Sequence, residues 1–212
     1  CLGKRALLLT AHPDDECMFF APTVHALVKN PDVQVYSLCL SNGNADGIGD
    51  IRGSELRASL DVLGIPANQS ELVNHSELQD IFTHRWDAKV IASVVEKFVR
   101  SHGIDTILTF DAGGVSGHPN HVSLPAGAAL VSGVRIAVLK TTGVTQKYSS
   151  FLDKAFIGRT SSTFDGAYVS NLTGYIRGVQ AMMAHWSQLV WFRWLYISFS
   201  RYMWTNEWTC IN

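Results

Sequence analysis

Apolar residues in this chain fall into two rhythms: short unbroken runs, and sets spaced three and four apart. Residues 6–10 (ALLLT) and 33–40 are runs of the first kind and predict buried strands, as do 106–110, 135–139 and 166–169. Helical spacings lie between them. Residues 19–29 are apolar and closed by Asn30 and Pro31. Residues 54–63 set Leu56, Leu60 and Leu63 on one face and stop at Gly64, and residues 87–101 carry Val90, Ile91, Val94, Val95 and Phe98.

Buried strands alternating with amphipathic helices imply βαβ units. The pattern therefore predicts an α/β fold of Rossmann-like, three-layer form, with a mostly parallel twisted sheet and helices on both faces. All 212 residues are expected to form one domain, with the α/β core over 1–185 and an aromatic helix over 186–204. Residues 189–204 read LVWFRWLYISFSRYMW, with Arg193 and Arg201 interrupting the aromatics. Such a segment is too polar to span a bilayer. It suits either a terminal helix packed on the core or one lying at a membrane–water boundary, where Trp, Tyr and Arg each offer an apolar body and a polar tip.

Composition narrows the function classes. Hydrophobic residues make up 47% and charged ones 17%, enough for a substantial core, and the net charge of -1 lacks the basic excess of a nucleic-acid binder. The four cysteines are scattered without a CxxC pair, which argues against a disulfide framework and for a reducing compartment. No charge-free run of about 18 apolar residues is present, so no stretch reads as a membrane span. The chain opens on Cys1 rather than methionine and is expected to be a fragment or to have lost its N-terminus.

The residues that carry chemistry gather where two predicted strands end. TAHPDDE (10–16) follows the first strand directly, and HPNH (118–121) follows the glycine-bearing loop 111–117 beyond the 106–110 strand. If those strands are neighbours, both clusters meet outside the carboxyl ends, where doubly wound sheets bind ligands. Two imidazoles and a carboxylate suit zinc, and a three-ligand site leaves a position for water whose pKa falls to about 7. His12 and Asp15 lie three apart, as do His118 and His121. With Asp15 on the metal, Asp14 is free to take a proton, and one imidazole of the second pair stays free to donate one.

Plainer explanations exist for each cluster alone. Proline followed by acids suits any helix N-terminus, and HPNH can be a polar turn. Their shared position after strands of one sheet favours the metal site. The loop 111–117 lacks both GxGxxG and GK[ST] spacing, which argues against a nucleotide. Arg52 and Glu55 read either as crevice residues or as a helical ion pair, Glu16 as a supporting acid, and Asp87 as a helix cap.

At TAHPDDE and GHPNH the chain resembles the LmbE-like zinc-dependent N-deacetylases. The stretches ALLLTAHPDDECMFFAPTV, DVLGIP, TFDAGGVSGHPNH and SQLVWFRWLYISFSRYM are similar to the GPI-anchor branch, which deacetylates N-acetylglucosaminyl-phosphatidylinositol. The likeness runs over most of the chain and thins at 68–84 and 127–172. It implies His12, Asp15 and His121 as ligands of zinc or another divalent metal, Asp14 as general base, and His118 as the residue steadying the tetrahedral intermediate. Arg52, Asn42 and Asp87 are the expected substrate contacts.

The implied partner is a glycolipid at a membrane surface, with no nucleic acid and no nucleotide. The implied place is the cytoplasmic face of the endoplasmic reticulum, with a spanning N-terminal helix lying outside this sequence. A soluble amino-sugar glycoside deacetylase and a catalytically silent sugar- or lipid-binding relative are the competing expectations. Three departures bear on the substrate groove rather than the metal: ELQD at 77–80 in place of an acidic-aromatic segment, a shortened 131–154, and an ending over 206–212 that does not look familial.

Overall fold

A computed structural model describes residues 2–148 and 166–211. Five strands run parallel: β1 (Arg5–Thr10), β2 (Gln34–Cys39), β3 (Ser70–Leu72), β4 (Thr106–Phe110) and β5 (Arg135–Leu139). β6 (Ala167–Val169) and β7 (Thr205–Cys210) close the far edge, β7 antiparallel to both β5 and β6. The order across the sheet is β3-β2-β1-β4-β5-β7-β6. Strands read as buried runs are buried: Ala6, Leu7, Leu8 and Leu9 have no exposed surface. The mostly parallel α/β sheet expected from the pattern is therefore the one observed.

Helices cover the sheet as that burial requires. On one face α2 (Ala21–Val28) lies on β2, with α3 (Gly49–Leu63) and a later helix over Leu172–Ala184 packed against it. On the other, α6 (Pro119–Ala128) lies on β1 and β4 and carries α4 (Ala88–His102). α4 buries Ile91, Val95, Phe98 and Val99 along one stripe, is capped by Asp87, and stops at left-handed Gly103.

Residues 19–29 do not form one helix. A short α1 (Asp15–Phe19) ends at Phe20, and α2 begins at Ala21. Pro22 has no N–H to give the Met18 carbonyl, and the Tyr196 hydroxyl donates to that oxygen instead, at 2.9 Å. The chain break is thus a proline effect satisfied from the C-terminal region.

That region differs most from expectation. Residues 186–204 are not one helix but a 3-10 turn (Trp186–Gln188), a helix over Trp191–Phe199, and a second 3-10 turn (Arg201–Met203). In chain order the short helices after α4 are α5 (Gly114–Gly117), α6, α7 (Val144–Lys147), α8 (Leu172–Ala184) and α9 (Trp191–Phe199). The seemingly unfamiliar ending is β7, a strand inside the sheet. Its Asn206 accepts from the Thr23 amide and hydroxyl and donates to the Phe19 carbonyl, pinning the junction of α1 and α2.

Cys17 and Cys39 are buried free thiols, whereas Cys210 takes part in a disulfide. Among the described residues no helix is long and apolar enough to cross a membrane. Part of the divergent 127–172 stretch, residues 149–165, lies outside the described residues.

Candidate metal centre

β1 and β4 pair in parallel through Ala6 with Thr106 and Leu8 with Leu108, so the two polar clusters emerge side by side where the strand order reverses. Both line a cleft of about 470 Å³ that holds His12, Asp14, Asp15, His118 and His121.

The backbone is bent to deliver them. Asp14 sits at φ 105°, and its N–H donates to Glu16 Oε2 at 3.0 Å. Glu16 is fully buried and fixed in turn by Ser59 Oγ at 2.5 Å and His185 Nε2 at 2.6 Å. A left-handed residue of this kind stores roughly 1–3 kcal/mol, which the surrounding contacts must hold. Val115, β-branched at φ 61°, is the other non-glycine residue with positive φ among the described residues, and it lies under the second cluster. Beside it Gly114, at φ 57°, leaves room for His121, whose Cβ would lie 3.0 Å from any Cβ placed there.

Each side chain is then oriented by a partner. Asp15 Oδ2 accepts the Ala11 and His12 amides at 2.9 and 3.0 Å, while Oδ1 faces His121 Nε2 at 3.1 Å. Burial would raise the Asp15 carboxyl, but His121, His12 and the amide outweigh it and hold it far below the usual range. His121 stacks on Phe110 at 4.2 Å and donates from Nδ1 to the Gly114 carbonyl at 3.2 Å. That bond leaves Nε2 as the nitrogen that faces Asp15 Oδ1, and this carboxylate raises the His121 pKa against the effect of burial.

His118 is wired the opposite way. Its Nδ1 accepts the Asn120 amide at 3.3 Å as the cap of α6, so the neutral ring carries its proton on Nε2. Burial, with His12 and His121 nearby, pushes His118 down to about 4. His12 Nε2 lies 3.0 Å from Asn120 Oδ1 and 3.2 Å from Asp80 Oδ1, and burial lowers its pKa despite Asp15 and Asp80.

His12, His118 and His121 each present a nitrogen within 4.8 Å of the others. His12, His121 and the Asp15 carboxylate oxygen that faces His121 Nε2 form a donor set that fits a small divalent cation such as zinc, with the His118 Nε2–H beside it.

Arg52 lines the cleft as expected, donating to the Pro13 carbonyl at 2.7 Å and the Gly43 carbonyl at 2.9 Å. It does not pair with Glu55, which accepts from Ser187 and Gln188 instead. Neither Asn42 nor Asp87 is among the described residues that line this cleft. Asn42 lines a separate cavity with Asp50, Arg57 and Asn74, and Asp87 turns back to accept the Lys89 amide at 2.7 Å as the cap of α4. Two residues were missed as site members. Asp80 faces His12 and Arg52, and Arg193 of α9 donates to Asp14 Oδ2 at 2.6 Å. Asp14, raised by burial, is drawn back by Arg193.

The sheet, its switch-point cleft and the covering helices define the class: a Rossmann-like α/β fold with a polar cleft where the strand order reverses. A solved deacetylase of teicoplanin biosynthesis superposes with a TM-score of 0.67 over 98% of this chain and 99% of that one, at 14% identity, a likeness of fold. Sequence goes further. Residues 7–131 match the family described as GlcNAc-PI de-N-acetylase. The chain is 40% identical to the N-acetylglucosaminyl-phosphatidylinositol de-N-acetylase of Bos taurus, over 97% of this chain and 83% of that protein. It is 36% identical to the probable enzyme of that name from Schizosaccharomyces pombe, over 94% and 84%. This chain belongs to the GlcNAc-PI de-N-acetylase family.

Proposed function

We propose that this chain hydrolyses the N-acetyl group of N-acetylglucosaminyl-phosphatidylinositol, releasing acetate and the glucosaminyl lipid, at the cytoplasmic face of the endoplasmic reticulum membrane. The observation that carries the reading is the meeting of His12, Asp14, Asp15 and His121 in one cleft of a family member. His12, Asp15 and His121 would hold zinc, which when bound supplies Lewis acidity and lowers the pKa of water.

The protein's own groups do the rest. Arg193 occupies Asp14 Oδ2, so Oδ1 is the oxygen that takes the proton from the attacking water. The resulting hydroxide adds to the acetamide carbon. His118 Nε2–H donates to the oxygen on which negative charge develops, a role its tautomer suits. Asp14 returns its proton to the departing nitrogen as the C–N bond breaks, which regenerates the carboxylate. Arg52, fixed at the cleft wall, offers a guanidinium to the polar headgroup.

The test is acetate release by the purified, zinc-loaded chain from the glycolipid in mixed micelles. Turnover is expected, and Asp14→Asn should lower it by about 10²- to 10⁴-fold. A metal-replete chain that releases no acetate would be the silent relative, and the reading would fall.

A further inference from the structure

A second cavity of about 470 Å³ adjoins the catalytic cleft, lined by Tyr148, Phe192, Leu195, Tyr196 and Phe199. Tyr148, Phe192 and Tyr196 line both, so the two share a wall. Four of the five lining side chains belong to α9. That helix leaves Phe192, Leu195 and Phe199 about half exposed, at 51%, 50% and 49%. Arg193, the one charged residue within Trp191–Phe199, turns inward to Asp14, and among the described residues no charged side chain lines the groove. A contiguous apolar surface of this kind marks a binding site rather than ordinary surface.

The lining changes in character from cleft to groove. The cleft holds the acids and imidazoles, and Lys147 lines it too, with its Nζ 5.8 Å from the Tyr148 ring centre. Tyr148 belongs to both cavities, and among the described residues the rest of the groove wall is apolar. A glycosylated phosphatidylinositol makes the same change, from sugar and phosphodiester to acyl chain.

We propose that the groove between Tyr148 and α9 is an acyl-chain subsite, with Lys147 at its junction with the cleft meeting the phosphodiester. This rests on the substrate class assigned above. The groove captures one fatty-acyl chain of the substrate while the acetamide sits among His12, Asp14 and His118. Each methylene moved from water into the groove raises kcat/KM by about fourfold until the groove is full.

The experiment uses monomeric substrates: GlcNAc-inositol phosphate without acyl chains, and its dibutanoyl and dihexanoyl lipids. For the zinc-loaded chain kcat/KM is expected to rise at least tenfold across the series. In Leu195→Asn and Phe199→Asn the rise shrinks to within threefold; both positions are half exposed, and an unchanged Tm confirms folding. With phosphate-free GlcNAc-inositol added to the series, Lys147→Gln compresses the difference in kcat/KM between it and GlcNAc-inositol phosphate, and an unchanged difference removes Lys147 from the proposal. A readout free of turnover is the quenching of Trp191 and Trp194 fluorescence by dibrominated short-chain phosphatidylinositol, expected in the wild type and lost in Leu195→Asn.

A flat chain-length series with a well-turned-over headgroup overturns the groove and spares the deacetylase reading. Turnover of no member sinks that reading and the subsite with it. If Leu195→Asn loses binding to phosphatidylcholine vesicles yet keeps the full chain-length dependence, α9 is a bilayer-docking face and the proposal is wrong.

Discussion

Arg193 donates to Oδ2 of Asp14 at 2.6 Å across 179 residues of sequence. The guanidinium of Arg52 stands 4.0 Å from the same oxygen. Asp14 is thus a buried carboxylate in a left-handed backbone with two cations near one of its oxygens. α9 supplies the nearer cation and, through Tyr196, the hydroxyl that closes the end of α1. The aromatic segment is therefore part of the cleft wall, whatever its outer face meets.

Removing Arg193 should separate positioning from metal binding. A hydrogen bond to a charged group contributes about 1.5–3 kcal/mol, so Arg193→Ala is expected to lower kcat by roughly 10- to 100-fold. Asp14→Asn, which removes the base, is expected to lower it by about 10²- to 10⁴-fold. Both should retain stoichiometric zinc, measured alongside steady-state rates. An Arg193→Ala enzyme within twofold of wild type would mean the ion pair has no bearing on the chemistry.

Two ligand sets compete in the cleft, and metal analysis separates them. The bond from His121 Nδ1 to Gly114 leaves Nε2 open, while His118 Nδ1 is an acceptor and its Nε2 keeps the proton. His12→Ala, Asp15→Ala and His121→Ala should each lose bound zinc after dialysis, and His118→Ala should keep it with little activity. Loss of metal from His118→Ala would establish the three-imidazole set in its place.

How much of this was legible in the chain depends on sequence distance. β4 and β5 fell on the residues the apolar runs marked, because a strand buried on both faces has no choice but to be continuous in hydrophobicity. TAHPDDE and HPNH were legible because strand ends are where such sheets keep their chemistry. Arg193 was not: its signal was a lone cation in an aromatic run, and only the folded chain shows which way it points. TNEWTC at β7 is half polar and reads as a tail, yet Asn206 and Thr205 are buried because their polar atoms find partners or neighbours inside. Asp87 was legible as a helix cap, and its acceptance of the Lys89 amide makes it the cap of α4.

Asn206 should be a stability residue rather than a catalytic one. Its amide serves Thr23 and Phe19 from a fully buried position, and Asn206→Leu would leave those groups unpaired. Unsatisfied buried polar groups cost about 1–3 kcal/mol each. With about 2–4 °C per kcal/mol at this chain size, Tm is expected to fall by roughly 5–10 °C in a thermal melt. Because Phe19 lines the cleft, kcat should fall too, but by less than in Asp14→Asn. An unshifted Tm would show that β7 does not anchor α1.

The same strand supplies a pH dependence with a defined sign. Arg201, 2% exposed, donates to Glu207 Oε1 at 2.5 Å, and Lys140 lies 3.5 Å from Oε2. Burial alone would lift the Glu207 carboxyl, but Arg201 and Lys140 outweigh it and hold it below the ordinary value of 4.5. A depressed folded pKa stabilises the protein above the unfolded value, and that stabilisation is lost as pH falls through the folded value. Glu207→Gln should therefore have a lower Tm than wild type at pH 7, by about 4–8 °C for a pair worth roughly 2 kcal/mol after allowing for its partial exposure. The gap should persist down to about pH 4.5, the unfolded carboxyl value, and close below it as wild-type Glu207 protonates. Melting both proteins from pH 3 to 8 tests this directly, since other carboxylates titrate equally in both. A gap that is constant through the acid range would show that the Glu207 contact is not ionic.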